Sequence, residues 1–339
     1  MAAVSPVVWG LLDDRPGHAT QVLGIGDALP WPMVEKPMGF GWLSRLDVRV
    51  LGASALGLNR AARARLVPPW PDLLITCGRR CLPVARWIKR QAGGRTRIVH
   101  VMRPAVATDI DLLVLPYHDR KLTNEEAEVI RVTGAPHRVN EARLAEARAR
   151  FAPRFAHLPT PRIAVLAGGP ARHVRYRRDW ARDLGQRAAA LAQSMGGSLM
   201  VTTSRRTGSA ATAELAATLK LPHLMWKPDD PEDNPYLGML ALADAVVVSV
   251  DSVSMMSEAC ATGVPVHVYG GDRLVGHKLK MLVARLFKEG RIVALGDPFD
   301  HEPPPPLDAA AEVARVVMER AELWFPMVSR VNAAMSEAK

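Results

Sequence analysis

Between Ala245 and His267 the chain gathers serines and acids in a pattern suited to holding a phosphorylated nucleoside. Ser249, Asp251, Ser252 and Ser254 follow the apolar run Val246 to Val248 and precede a helical run from Met255 to about Ala261. Hydroxyls and unpaired backbone N–H groups at a helix start favour an anion, because the positive end of the helix dipole lies there. Glu258, about one turn into the helix, is an acceptor suited to the two hydroxyls of a ribose. The bland reading of the same residues is an N-cap at Ser252 or Ser254 with Glu258 solvated.

A second constellation lies near the N-terminus. Asp13-Asp14-Arg15-Pro16-Gly17 forms the exit of a first strand, and His18 opens the helix that follows. A histidine beside two carboxylates suits general-base work, with His18 or Asp14 taking a proton from a hydroxyl. A capping or purely structural histidine competes with that reading. A third cluster joins Arg79 and Arg80, in the exit turn of a predicted strand, to Arg86, Trp87, Lys89 and Arg90 on the predicted helix Leu82 to Gln91. It suits anionic headgroups or a phosphate-bearing acceptor, and equally a solvated helix face.

These residues need a scaffold, and the chain supplies a repeating one. Strands are predicted at Val7–Leu12, Asp47–Leu51, Asp72–Thr76, Arg97–Met102, Leu112–Pro116 and Glu128–Val132, separated mostly by polar turns and helices. Residues 30–43, with Trp31, Phe40 and Trp42 among prolines and glycines, read as an apolar loop. A helix from Val139 to Arg150 leads into a proline-marked linker, Phe151 to Pro161. The rhythm then restarts at Arg162–Ala167, whose exit Gly168-Gly169-Pro170 allows close backbone approach to a phosphate. Arg172, His173, Arg175, Tyr176 and Arg177 follow as a polar loop. Strand Ser198–Thr203 exits into Ser204-Arg205-Arg206-Thr207-Gly208, and a short strand at His223–Trp226 into a Pro/Asp loop ending at Asn234-Pro235-Tyr236. Asn234 also reads as the cap of the next helix. Alternating strands and helices predict doubly wound, mostly parallel α/β domains.

Composition narrows the function classes. A length of 339 residues implies two domains, and 48% hydrophobic with 23% charged residues is ordinary for a folded globular protein. Residues 1–150 carry 22 Lys/Arg against 14 Asp/Glu, a net +8 of the total +10, so the first half is expected to face something anionic. Nucleic acid is disfavoured by the 5% aromatic content and the lack of a binding motif. Cys77, Cys81 and Cys260 read as reduced thiols, with neither a zinc site nor a disulfide framework. No spanning or signal-like segment is apparent, so a cytoplasmic protein is expected.

The segment DSVSMMSEACATGVPV resembles the donor-nucleotide segment of GT-B glycosyltransferases. LLDDRPGHATQVLGIGDAL, with VLAGGPARH and TTSRRTG, resembles the mitochondrial-fission Elm family, whose bacterial members are regarded as candidate glycosyltransferases. The resemblance covers roughly residues 5 to 330. It implies two Rossmann-like domains facing across a cleft (GT-B): residues 1–155 facing acceptor or membrane, and 156–323 holding the nucleotide sugar. The C-terminal helix, 324–339, is expected to pack back on the first domain. It further implies a UDP-linked donor bound at Gly168, Gly169, Ser204, Arg205, Asn234, Ser252, Ser254 and Glu258. With no D-x-D motif in a suitable place, no metal or cofactor is expected. The acceptor expected is lipid-linked or lipopolysaccharide-like, at the cytoplasmic face of an inner membrane. A nucleotide-sugar epimerase or hydrolase on the same fold, and a non-catalytic membrane-recruitment protein, are the alternatives. Asp251 beside a phosphate would be repulsive, so it is expected to point away or to cap the helix.

Overall fold

Short apolar runs separated by amphipathic helices bury both faces of a sheet only when the strands run parallel under helical layers. The computed structural model, which describes residues 5–117, 119, 127–169, 178–271 and 276–326, has two such sheets. One unit comprises residues up to Arg138 together with Asp308 onward, and the other Val139–Leu307.

In the first unit the chain runs β1 (Val8–Leu12), α1 (Pro16–Ala28), β2 (Met33–Pro37), α2 (Val48–Leu51), α3 (Arg60–Ala64), β3 (Leu73–Cys77), α4 (Leu82–Gln91), β4 (Arg97–Val101), β5 (Leu112–Pro116) and β6 (Glu128–Val132). The six parallel strands lie in the order β2-β1-β3-β4-β5-β6. Alternation along β3 sends Leu73 and Ile75 into the layer of Val22 and Ile25, and Leu74 into that of Val84 and Ile88. Two readings of this half are corrected. Residues 30–43 contain the edge strand β2. The expected strand at Asp47–Leu51 is helix α2, because the Asp47 carboxylate accepts from the Arg49 N–H at 2.7 Å and Gly52, at φ +55°, stops it.

The second unit runs α5 (Glu141–Phe155), β7 (Arg162–Ala167), α6 (Arg178–Ser194), β8 (Ser198–Thr203), α7 (Ser209–Ala217), β9 (His223–Trp226), α8 (Tyr236–Leu242), β10 (Ala245–Ser249), α9 (Val253–Cys260), β11 (Val266–Tyr269), α10 (His277–Lys288) and β12 (Val293–Ala294). Its parallel sheet has the order β12-β11-β10-β7-β8-β9. Read from the other edge this is the 3-2-1-4-5-6 arrangement of a Rossmann fold.

The expected boundary near 155 moves. Helix α5 continues to Phe155 through the presumed linker, since Ala147, Phe151 and Phe155 prolong one apolar stripe into the second core. A Cβ on Gly238 would lie 2.5 Å from that of Phe151, so α8 meets α5 at close range. At the other end, α11 (Ala309–Glu319) and α12 (Ala321–Trp324) belong to the first unit. Val313 and Val317 join the layer of Val22 and Ile25, Arg320 pairs with Glu128, and Phe325 meets Trp31 edge to face at 5.7 Å. The return to the first unit therefore begins at Asp308, before residue 324.

Candidate functional site

In an open parallel sheet, ligands bind outside the carboxyl ends of the strands where the winding reverses direction. In the first sheet that point lies between β1 and β3, and the residues leaving those strands are Asp13, Asp14 and Cys77 to Arg80. The Asp13 side chain is 1% exposed. It accepts from the Arg15 N–H at 3.0 Å, faces His18 Nδ1 at 3.2 Å and receives Arg80 Nη2 at 2.5 Å. Burial opposes its ionisation, but the hydrogen bonds from His18, the Arg15 N–H and Arg80 prevail and hold the carboxyl well below the usual range. An ionised Asp13 can only accept, so His18 Nδ1 is the donor in this contact. Gly78, at φ +79°, makes room for the ring, since a Cβ there would lie 2.6 Å from it.

Of the two carboxylates that the sequence sets beside His18, the structure brings Asp13 to the imidazole. Asp14 is 57% exposed and clamped by Arg80, whose guanidinium also stacks over Phe40 at 4.3 Å. The two-residue period of β1 carries this signal: Leu11 and Asp13 share the buried side. Thr76 Oγ1 and His100 Nδ1, register partners beneath the site, are buried without a hydrogen bond. Burial, with His18 adding to it, pushes the His100 imidazole down to about 3, so it is neutral. Cys77 and Cys81 are fully buried, and burial pushes their thiols up, away from thiolate chemistry.

The basic helix α4 does not form the surface expected of it. Arg86 is 8% exposed and bonds Asp109 at 3.0 Å, and Lys89 bonds Asp111 at 2.6 Å. Trp87 packs edge to face on Trp70. Arg79 donates to the carbonyls of Leu46 and Ser44 at 2.6 and 3.0 Å, and Arg80 serves Asp13 and Asp14. The helical period sets Arg86 and Lys89 one turn apart over the acids that precede β5. Of the six, Arg90 alone is exposed with no partner among the described residues.

In the second sheet the winding reverses between β7 and β10. Here the Gly168 N–H donates to Ser249 Oγ at 2.7 Å. A Cβ on Gly168 would meet Asp251 Oδ2 at 2.5 Å, so Asp251 turns toward the glycine turn, against the expectation that it points away. It is 7% exposed, and neither carboxylate oxygen has a well-formed hydrogen bond. Burial pushes its carboxyl up, with the Ser249 hydroxyl, the Gly169 N–H and Arg206 opposing. Gly169 packs on the β8 exit, where a Cβ would lie 2.4 Å from the Arg206 carbonyl carbon. Ser204 is spent on that turn, taking the Arg206 N–H at 3.2 Å and lying 3.1 Å from Thr207 Oγ1. Thr207, which the sequence reading did not single out, bonds the carbonyls of Ala167 and Gly168 and so ties the two exits together. Beside them a cavity of about 800 Å³ is lined by Ser204, Arg205, Thr212, His223, Lys227 and Asp230 among others. The loop Arg172 to Arg177 lies outside the described residues.

Helix α9 starts at this reversal point. Ser252 caps it, accepting from the Met255 N–H at 3.4 Å, while the Ser254 hydroxyl makes no hydrogen bond among the described residues. Glu258 receives the Tyr236 hydroxyl on Oε2. Asn234 is exposed and accepts from the Tyr236 N–H at 3.0 Å, which makes it a cap for the start of α8. Burial, opposed by the Tyr236 bond, pushes the Glu258 carboxyl up to about 7. The folded chain then keeps a proton that the unfolded chain releases above about 4.5, so stability falls as pH rises through that window and levels off above 7. Between pH 5 and 8 the wild type is expected to lose on the order of 2 kcal/mol more than Glu258→Gln. Urea titrations of both proteins check this, and parallel curves would contradict it.

The two Rossmann-like units define a class of fold, the GT-B type. It is shared at a TM-score of 0.56 with a Listeria monocytogenes protein assigned as a UDP-N-acetylglucosamine 2-epimerase (15% identity; 96% of this chain, 98% of that one). A UDP-GlcNAc 2-epimerase from Methanocaldococcus jannaschii gives 0.51 (14% identity; 92% and 99%). At such identity the likeness concerns the fold alone. The family described as Mitochondrial fission ELM1 matches residues 16–321, and the chain belongs to it. The Arabidopsis thaliana mitochondrial fission protein ELM1 is 32% identical over 248 residues, 66% of this chain. The match spans only 57% of the plant protein's length. An uncharacterized protein of Rickettsia prowazekii is 22% identical over 91% of this chain and 97% of its own.

Proposed function

We propose that the protein is a glycosyltransferase that moves a sugar from a UDP-linked donor to a lipid-linked or lipopolysaccharide-type acceptor, with inversion and without a metal. The observation that carries this reading is the Asp13-oriented His18 at the reversal point of the first sheet. An imidazole whose Nδ1 proton is held by a buried carboxylate is poised to accept a proton at Nε2. In the proposed step Nε2 takes the acceptor's hydroxyl proton and that oxygen bonds to the anomeric carbon. The bond from that carbon to the diphosphate breaks, and its electron pair leaves with the nucleoside diphosphate. Asp13 offsets the charge that develops on the imidazolium.

In the same reading the second unit binds the donor. The N–H groups at the start of α9 and the Ser254 hydroxyl face the diphosphate, and Arg205 offsets its charge. Gly168 and Gly169, whose N–H groups serve Ser249 and Asp251, act by keeping the turn free of side chains. Glu258, backed by Tyr236, takes the ribose, and the cavity beside Ser204 takes the base. Asn234 and Ser252 act through the helices they cap. No helix among the described residues is long and apolar enough to cross a membrane. We place the protein peripherally, at the cytoplasmic face of an inner membrane.

A thermal-shift panel of nucleotide sugars tests the donor half of this reading. A UDP-sugar at a hundredfold excess over its Kd is expected to raise the melting temperature by about 5 °C or more, and Glu258→Ala to abolish the shift. A flat response to every nucleotide sugar would contradict it.

A further inference from the structure

The first unit carries a surface that neither the fold nor the proposed chemistry uses. Residues 41–57 leave and rejoin the body of the unit at one point, where Phe40 and Leu58 form an antiparallel bridge and the Gly41 N–H donates to Gly57 O at 2.9 Å. The segment is therefore a compact Ω-loop with its ends pinned together. Ser44, Val48, Leu51 and Ala55 are buried, Val48 in the cluster of Leu82, Ile110 and Leu113 and Ala55 in that of Trp9 and Leu11, so this side of the loop packs on the unit. Its outside shows Trp42 at 76% exposure, Val50 at 73%, Leu56 at 54% and Leu46 at 39%. Arg45 and Arg49 lie exposed among these, and neither side chain has an ion pair among the described residues. The one acid of the loop, Asp47, is committed to the Arg49 N–H. Just beyond the loop, α3 and its end add exposed Arg60, Arg63 and Arg65.

Four large apolar side chains ringed by unpaired arginines satisfy neither water nor a protein core. A second copy of this chain would set the same arginines against each other, and like charges repel. An anionic leaflet meets both demands. Trp42 and the aliphatic groups enter the boundary below the headgroups, while the guanidiniums stay with the phosphates. We infer that this loop docks the protein on an anionic lipid surface.

The placement has a consequence for the acceptor. Arg79, through its two bonds to the carbonyls of Ser44 and Leu46, fixes the loop to the turn that seats Gly78 against His18 and Arg80 on Asp13. A hydroxyl carried on a lipid would thus arrive beside the imidazole. That last step rests on the proposed glycosyl transfer, whereas the docking itself does not.

Flotation of the full chain with vesicles tests the docking, using phosphatidylcholine alone and phosphatidylcholine with about one third phosphatidylglycerol. The wild type is expected to float with the anionic vesicles only. The pairs Trp42→Ser/Val50→Ser and Arg45→Glu/Arg49→Glu are each expected to weaken this by about tenfold or more, and Arg90→Glu on α4 to leave it unchanged. The four side chains touched are exposed, so melting curves of the variants should overlay that of the wild type. Equal flotation of wild type and both pairs would overturn the inference. So would a lack of binding to anionic vesicles, or a dimer in sedimentation that Trp42→Ser abolishes. Nucleotide-induced thermal shifts, measured without lipid, report on the donor reading separately.

Discussion

Asp13→Asn is expected to lower sugar transfer by about a hundredfold to ten-thousandfold while leaving nucleotide binding untouched. The substitution keeps shape and removes charge. Asparagine still offers an oxygen to the Arg15 N–H, but it no longer fixes which nitrogen of His18 carries the proton. Arg80 loses one of its two carboxylates and keeps Asp14. The site that holds the nucleotide in our reading belongs to another sheet, so the UDP-dependent thermal shift should persist. A pH signature accompanies the kinetic one. Because the Asp13 carboxyl is held below its unfolded value, its contribution to stability is present at neutral pH and is lost as pH falls below about 4. Asp13→Asn should therefore flatten the acid limb of the stability curve. If Asp14→Asn abolished transfer and Asp13→Asn did not, the assignment of His18's partner would be wrong.

Gly169→Ala should destabilise the protein by about 3 kcal/mol or more, a fall of roughly 6–12 °C in melting temperature. The alanine Cβ would lie 2.4 Å from the Arg206 carbonyl carbon and 2.6 Å from the Thr207 nitrogen. Both are backbone atoms in a turn braced by Thr207, so neither can swing aside as a side-chain tip can. The exits of β7 and β8 would have to part, which moves Gly168 relative to Ser249. Nucleotide binding should fall with stability. Gly41→Ala is the control, since its nearest neighbours would be 3.9 Å from the new Cβ. That variant is expected to melt within about 2 °C of the wild type, and a Gly169→Ala protein melting there too would contradict the account.

Much of the scaffold is legible in the sequence because strands buried on both faces are continuous apolar runs. Leu112–Pro116, Arg162–Ala167 and Ser198–Thr203 are such strands and are read with the bounds the structure gives them, as are the partly exposed edge strands Glu128–Val132 and His223–Trp226. The failures have separable causes. Strand β2 lies at an edge, with Glu35, Lys36 and Pro37 interrupting its apolar character. Pro153 suggested a break, but the four-residue spacing from Ala147 to Phe151 to Phe155 carried the helix on. The return of α11 to the first unit is a long-range contact that no local pattern encodes.

The candidate site divides in the same way. Residue types pointed to His18, to the glycine turn and to Glu258. What each side chain touches was not readable. Asp13 rather than Asp14 holds the imidazole, Ser252 is spent on the Met255 N–H, and Glu258 meets Tyr236. On α4 the charges were legible, but their acidic partners stand twenty residues or more further along the chain.

The most direct test of the central claim is to follow donor and acceptor together, using the nucleotide sugar chosen by thermal shift and a bacterial lipid extract. The account predicts that free nucleoside diphosphate and lipid-bound sugar appear in equal amounts, only when lipid is present, and at least about a hundredfold more slowly with His18→Ala. Donor that is isomerised or hydrolysed at the same rate without lipid, or transfer undiminished in His18→Ala, would contradict it.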